Sequence, residues 1–464
     1  MVCEDCDLSE RVEHALRAGL LSLCVAVTAG AAGSTAASTA ATATPTAATP
    51  PPGAELQAVA WIQHDSRPFD LKLARGAAFD GLLQSIAGAR VIALGEAVHE
   101  THEFLALRNR MFEYLVLHGQ VTTIALETGT TEAALAEDYV RGTGKLDAAT
   151  VNSVFSWIPA ASADNAALLT WMRQYNQAHP QRPIELHGMD LSGGRMGRFT
   201  ESRIAVDAAI EYLATVDKTA GTRLRAQLDP LLERFTTDAH GTLSSQQRND
   251  LTGGLQELLG LFELNATEWP RHSGSTVFNR AYRNAQVAVE LDRNFRLSSP
   301  RDPKLLRDAC MALNVRQLLA DLPAGERLMV FAHNTHVRHG PAPAGFVSMG
   351  QQLRTALGPD LVTIGTTFDQ GSTGVAGHDT DPIEPSPQHT LNSIMSMTLS
   401  HASFLIDLRS VAPETPLGSW LSSGEPLRTY RFEGSPARSF DVLIYIDRIS
   451  PLLPFQVPQN EPAE

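Results

Sequence analysis

The sequence predicts an α/β fold: a largely parallel central sheet flanked by helices, with a helical insertion or lobe. Three observations carry this. Seven short apolar runs, each bounded by polar or turn residues, read as buried strands. Helical spacing separates most of them, which implies βαβ units and a sheet covered on both faces. From 199 to 321 that rhythm stops, and the chain carries helical spacing without a convincing strand.

The runs are RVIAL (90–94), TTIALE (122–127), IELHG (184–188), RLMVFAH (327–333), LVTIGTTF (361–368), ASFLIDL (402–408) and FDVLIYI (440–446). The lobe at 199–321 contains RIAVDAAIEYLATV, TRLRAQLDPLLERF, QQRNDLTGGLQELLGLF, NRAYRNAQVAVELDRNF and LLRDACMALNVRQLLADL. Each places apolar residues three and four apart, the spacing of one helix face. The body is expected over 55–450, and the Pro/Gln/Glu-rich end, 451–464, as a flexible tail.

Upstream of the body, ALRAGLLSLCVAVTAGAA (15–32) is an apolar run followed by small residues, the pattern of a secretory signal's h-region and cleavage region. The segment before it is acidic where an export signal is ordinarily basic. Residues 1–32 are therefore read as an export segment, with a cytoplasmic enzyme carrying a disordered tail as the alternative. The Ala/Thr/Pro-rich stretch 33–54 reads as a linker. The run is marginal for a membrane span, so no stable span is expected.

The chain has 464 residues, enough for a large core, and a formal net charge of -14. That charge argues against nucleic acid or anionic membrane as a partner through a general basic field. Of four cysteines, three lie within the first 24 residues, so the body has one thiol and no internal disulfide. A small-molecule partner and a monomeric chain are expected.

The informative pattern is where the strands stop. RVIAL ends at Gly95-Glu96, with His99 just beyond; TTIAL ends at Glu127; IEL ends at His187-Gly188-Met189-Asp190; LMVFA ends at His333-Asn334-Thr335-His336. A polar residue after a strand ordinarily just begins a loop. In a parallel sheet, however, these four ends share one edge, where open α/β sheets bind ligands.

Arg108 adds a second signal. In a helix from about Glu100 to Leu117, Phe104, Arg108, Met111, Phe112 and Leu115 fall within roughly a third of the circumference. A guanidinium in that apolar stripe needs an anionic partner, and Glu96 and Glu127 are the candidates. The competing reading is that it snorkels to water from the edge of the stripe.

There is no G-x-S-x-G nucleophile elbow and no phosphate loop. HETHE lacks zincin spacing. The His-x-x-His pairs His99/His102 and His333/His336 could in principle hold a metal. No cofactor is assigned, and a divalent metal is left open.

Together, GEAVHETHEFLALRNRMFEYL (95–115), IALETG (124–129), WMRQYN (171–176), HGMD (187–190), RDACMALN (307–314), FAHNTHV (331–337) and SMGQQL (348–353) resemble the erythromycin esterase family, in family order. The resemblance implies an α/β core with helical additions and hydrolysis of an ester, in the named members a macrolide lactone, hence macrolide resistance. It places the family's active-site glutamate on Glu96, its histidine on His99, its arginine on Arg108, its second glutamate on Glu127 and its downstream histidines on His333 and His336. Val98 and Glu100 stand where the family usually has threonine and glycine, which bears on substrate more than on reaction type.

These residues support direct attack by water. His99, oriented by Glu96, is the base. Arg108, held by Glu127, and a donor from His333 or His336 stabilise the oxyanion. Asp190, Asn334 and Glu100 are expected to contact substrate. Two other classes compete: a metallohydrolase using the histidine pairs, and an exported binding protein that no longer turns over.

Overall fold

The computed structural model describes residues 50–71, 77–155, 161–193, 202–297, 306–341, 347–423 and 435–456. All seven apolar runs become strands of one nine-stranded sheet. In chain order the strands are β1 (Arg67–Phe69), β2 (Val91–Glu96), β3 (Val121–Gly129), β4 (Glu185–Asp190), β5 (Arg327–His333), β6 (Leu361–Gly374), β7 (Thr380–Ile383), β8 (Ser403–Asp407) and β9 (Val442–Ile449). The order across the sheet is β1-β8-β9-β6-β2-β5-β3-β4, with β7 paired to β6. From β9 to β4 every neighbour is parallel. The β1–β8, β8–β9 and β6–β7 pairs are antiparallel.

The central strands β2, β3 and β5 and the first half of β6 are buried along their length because both faces are covered. Side chains alternate across β2: Ile92 and Leu94 enter one core cluster, Val91 and Ala93 the other. The first cluster receives Phe104, Met111 and Leu115 of the His102–His118 helix and Leu168 and Met172 of the Ala163–Ala178 helix. The second receives Ala58 and Ile62 of the Ala54–Asp65 helix and Met349 and Leu353 of the Met349–Leu357 helix.

The helical lobe has its own core. The helices Arg203–Val216, Lys218–Leu232, Ser245–Leu264 and Ser275–Leu297 bury Ile210, Leu224, Leu228, Leu258, Phe262, Phe278 and Phe295 together. Sequence signals set their ends: Asp217 caps the second, and Ser244 with Gln247 forms a capping box on the third. The lobe ends one helix earlier than expected. Helix Arg307–Asp321 lays Met311, Val315 and Leu318 on the sheet and belongs to its covering layer.

The flexible tail expected at 451–464 needs correction over its first six residues. Pro451, Leu452 and Pro454 bridge to Thr101, Val375 and Ser162. The Leu452 and Phe455 N–H groups donate to Gly374 and Ala161 at 2.9 and 2.8 Å. Proline removes donors but leaves carbonyls free to pair, so a Pro-rich composition does not forbid this strap. The export segment 1–32 and the linker up to residue 49 lie outside the described residues. No helix among the described residues is long and apolar enough to cross a membrane.

Candidate active site

Four neighbouring parallel strands, β2-β5-β3-β4, bring their carboxyl ends into a row. Glu96 of β2 is the register partner of His333 of β5, and Gly129 of β3 that of Asp190 of β4. Glu96, His333, Glu127 and Asp190 therefore converge because the strands are parallel and in register, although up to 237 positions separate them in the chain (333 minus 96).

The upper tier is a carboxylate–imidazole pair. Glu100, just after His99, takes a left-handed backbone conformation, with φ 63°, and Thr101 then enters the next helix. That turn sets His99 Nδ1 2.5 Å from Glu96 Oε1. Nδ1–H donates to the buried carboxylate, which leaves Nε2 with a lone pair for other chemistry. Phe155 and His333 flank the ring, with centroids 5.5 and 4.9 Å away. The His99 side chain is 37% exposed, against 4% for Glu127 and Arg307 and 10% for His336. His99 is thus the member of this group that meets solvent. Burial pulls its pKa down, but the Glu96 charge and hydrogen bond, helped by Glu127, leave it raised above the ordinary histidine value.

The lower tier is a buried ion cluster. Arg307 Nη2 donates to Glu127 Oε1 at 2.6 Å and to Asp190 Oδ2 at 2.5 Å, and Nε adds bonds of 3.0 Å to both Asp190 oxygens. Glu127 Oε2 accepts the His333 backbone N–H at 2.8 Å. Burial opposes ionisation of Glu127, yet the positive His336 and Arg307 hold it well below the usual carboxylate range. Asp190 is raised, because its burial outweighs the pull of Arg307. His336 Nδ1 lies 2.9 and 3.0 Å from the Asp308 oxygens, and its Nε2 lies 3.3 Å from Glu127 Oε1. Burial disfavours its charge, but Asp308 and Glu127 push its pKa up to about 9.

His333 differs. Its Nδ1 accepts the Thr335 N–H at 3.2 Å, so Nε2 carries the proton and donates to the Ala97 carbonyl at 3.1 Å. Burial, then the neighbouring His99 charge, drives its pKa down to about 3. It is a neutral spacer between the tiers, with both nitrogens engaged by backbone.

Arg108 is buried, as its stripe required, with 0% exposure. The expected carboxylate pairing is not what holds it. Nε and Nη2 donate to Asn109 Oδ1 at 3.0 and 2.8 Å, Nη2 donates to Asn165 Oδ1 at 2.9 Å, and the guanidinium lies 5.2 Å over the Phe331 ring. Among the described residues Arg108 makes no ion pair; Asp164 and Glu96 act on it only through their fields. Burial lowers its pKa to about 10, which leaves it charged at neutral pH. Two amide oxygens and a ring face satisfy Nε and Nη2 without burying a second charge, while the buried Nη1 has no hydrogen-bond partner among the described residues.

The three residues expected to contact substrate go different ways. Asp190 is fully buried and spent on Arg307 and the Leu191 N–H. Asn334 is also fully buried; its amide spans β5 to β6, donating to Thr366 O at 2.7 Å and accepting from Thr366 N at 3.2 Å. Neither faces a ligand, and both expectations are corrected. Glu100 does line an open hollow of about 650 Å³, with Val375, His378, Asp379 and Phe455.

The histidine pairs do not converge as metal ligands. His102 Nδ1 turns to Asp164 Oδ2 at 2.9 Å while His99 turns to Glu96. Among the described residues no group of three or more His, Cys, Asp or Glu is arranged to hold a metal ion.

Two members of the cluster, Arg307 and Asp308, carried no role in the sequence reading. The signal existed: Arg307, Met311, Asn314 and Leu318 repeat at helical spacing and all are buried, the same anomaly that exposed Arg108.

A family profile described as Erythromycin esterase matches residues 116–449; Glu96, His99 and Arg108 lie just upstream of that span. Two Escherichia coli proteins are similar in sequence. Erythromycin esterase type II is 24% identical over 320 residues, covering 65% of this chain and 74% of its own length. Erythromycin esterase type I is 23% identical over 290 residues, covering 59% and 69%. In structure, a Bacillus cereus protein superposes with a TM-score of 0.70 at 21% identity, covering 87% of this chain and 99% of its own. A succinoglycan biosynthesis protein gives 0.71 at 20% identity, covering 86% and 98%. A mutant of the erythromycin esterase EreC in its open conformation gives 0.61 at 19% identity, covering 83% and 98%. At these identities the structural likenesses speak to the fold alone. The profile match takes in most of the body and its sheet, and on that ground the chain belongs to the erythromycin esterase family.

Proposed function

We propose that this chain hydrolyses a carboxylic ester, a macrolide lactone or a related ester, by direct attack of an activated water. The observation that carries the reading is the Glu96–His99 pair: a 2.5 Å contact that engages Nδ1 and leaves Nε2 as a base on the most exposed histidine of the cluster. His99 Nε2 takes a proton from water, and Glu96 keeps the proton on Nδ1 and offsets the charge that forms. The negative charge that builds on the tetrahedral intermediate meets the field of Arg108, which stays charged at neutral pH and makes no ion pair among the described residues, with the charged His336 beside it. Glu127 holds Arg307 and His336 in place.

The hydrolase reading is favoured over a binding protein because a binding cleft gains nothing from a carboxylate-backed base at its mouth. Family membership supports an ester as the substrate class, and the named E. coli relatives support a macrolide. Residues 15–32 support export, tested by the mass of the N-terminus recovered from a secretion-competent host. The test of function is incubation of the purified chain with erythromycin and a panel of small esters, with and without chelator. Mass spectrometry should show addition of one water; no addition to any ester would overturn the reading.

A further inference from the structure

His336 stands between partners of opposite kinds, and both of its nitrogens are spoken for. Nδ1 faces both Asp308 oxygens at 2.9 and 3.0 Å. A carboxylate only accepts, so Nδ1 carries a proton whatever the charge on the ring. The proton that can leave is therefore the one on Nε2. Nε2 lies 3.3 Å from Glu127 Oε1 and 3.1 Å from Arg307 Nη1. When the ring is charged, Nε2–H points to Glu127; when it is neutral, the Nε2 lone pair accepts from Arg307. Either protonation state finds its partner without the ring moving. The Glu127 contact is longer than an ordinary hydrogen bond, and Arg307 already occupies that oxygen at 2.6 Å.

We propose that Asp308 is a positioning residue: it fixes His336 so that the proton on Nε2 is the one delivered to the leaving oxygen of the ester. The proposal rests on the ester-hydrolase reading above and assigns its acid step. Water adds to the acyl carbon and gives one proton to His99. The bond from the acyl carbon to the alkoxy oxygen breaks, and that oxygen takes the Nε2 proton of His336. An acid and an alcohol leave, and the proton on His99 returns to His336 through solvent, so the enzyme ends as it began.

Asp308 is itself fixed. It is buried on the first turn of helix Arg307–Asp321, and its Oδ1 accepts the Met349 N–H at 2.8 Å. The titratable and charged groups facing His336 are Asp308 and Arg307 from that helix, Glu127 from β3, Asp190 from β4, neutral His333 from the end of β5 and His99 across the cluster. Asp308 and Glu127 outweigh Arg307, which keeps the ring charged up to about pH 9.

The test is Asp308→Asn in the full chain, since the amide oxygen can still accept from Met349. Two readouts are compared with wild type: the ¹⁵N titration of His336 and the pH profile of kcat. The expected result is a His336 pKa below the wild-type value, with mixed tautomers. The basic limb of kcat should move to lower pH with KM little changed, so the deficit grows about tenfold per pH unit above the new limb. Asp308→Glu, which keeps the carboxylate, should restore the high limb and serves if the asparagine variant does not fold. A His336 titration identical in variant and wild type, or a loss of kcat that is uniform with pH, overturns the proposal. If wild type hydrolyses no ester, the functional reading falls with its acid step, while the titration still decides whether Asp308 fixes the ring.

Discussion

Replacing Arg307 by Met tests the buried cluster most severely. The guanidinium is 4% exposed and donates to Glu127 and Asp190, which are 3% and 0% exposed. Methionine fills similar volume, so the loss is electrostatic rather than a cavity. Breaking a buried ion pair by removing one partner costs about 3–5 kcal/mol, because the stranded charge stays desolvated. The two carboxylates share this unequally. Glu127 keeps His336 and the His333 N–H, whereas Asp190 keeps the Leu191 N–H. The penalty falls mainly on Asp190, whose pKa burial already raises. A carboxyl with a folded pKa above its unfolded value destabilises the fold at high pH and ceases to do so once protonated. The deficit should therefore be full at pH 7.5. Below the raised pKa of Asp190 it should shrink, by about 1.4 kcal/mol per pH unit. Urea unfolding of wild type, Arg307→Met and Arg307→Met/Asp190→Asn, read by tryptophan fluorescence at pH 7.5 and 5.5, measures this. The double variant should recover much of the loss at pH 7.5. A single variant within about 1 kcal/mol of wild type at both pH values, or a double variant no better than the single, would refute the reasoning.

Other outcomes follow from the same contacts. Arg108→Met should cost clearly less than Arg307→Met in the same urea assay, because amides hold Arg108 and no carboxylate is stranded. With the His99 pKa raised by Glu96, the base form appears only above the ordinary value of about 6.5; Glu96→Gln should shift the acidic limb of kcat/KM to lower pH while reducing the maximum. Gly95→Ala would drive a methyl into the Asn334 side chain and break its bridge to Thr366. About 1–3 kcal/mol of stability should go with it, read as a lower urea midpoint. Truncation after Ser450 removes the bridges to Thr101, Val375 and Ser162, so amide hydrogen exchange at residues 97–104 should accelerate.

The sheet was legible because its central strands are short apolar runs bounded by polar or turn residues and separated by helical spacing, too short to be buried helices. What the runs could not say was direction: β8 is as apolar as β5, yet it pairs antiparallel to β9. β1 and β7, at three and four residues, are too short to show a period. The row of Glu96, Glu127, Asp190 and His333 was legible from strand ends alone. Their partners were not, because pairing depends on side-chain reach. Arg108 was expected on Glu96 or Glu127 and rests on Asn109 and Asn165; Glu96 holds His99, and Glu127 is taken by Arg307, 180 positions further on. Asn334 was misread because its amide turns back between strands, which no spacing reveals.

The most direct measurement of the central claim is the hydrolysis rate of His99→Ala on an ester that wild type turns over. The ring is partly exposed, so the variant should keep wild-type melting behaviour. Its kcat/KM should fall about a hundred- to ten-thousand-fold, the usual worth of a positioned general base. A folded variant that keeps its rate within about threefold of wild type would contradict the account.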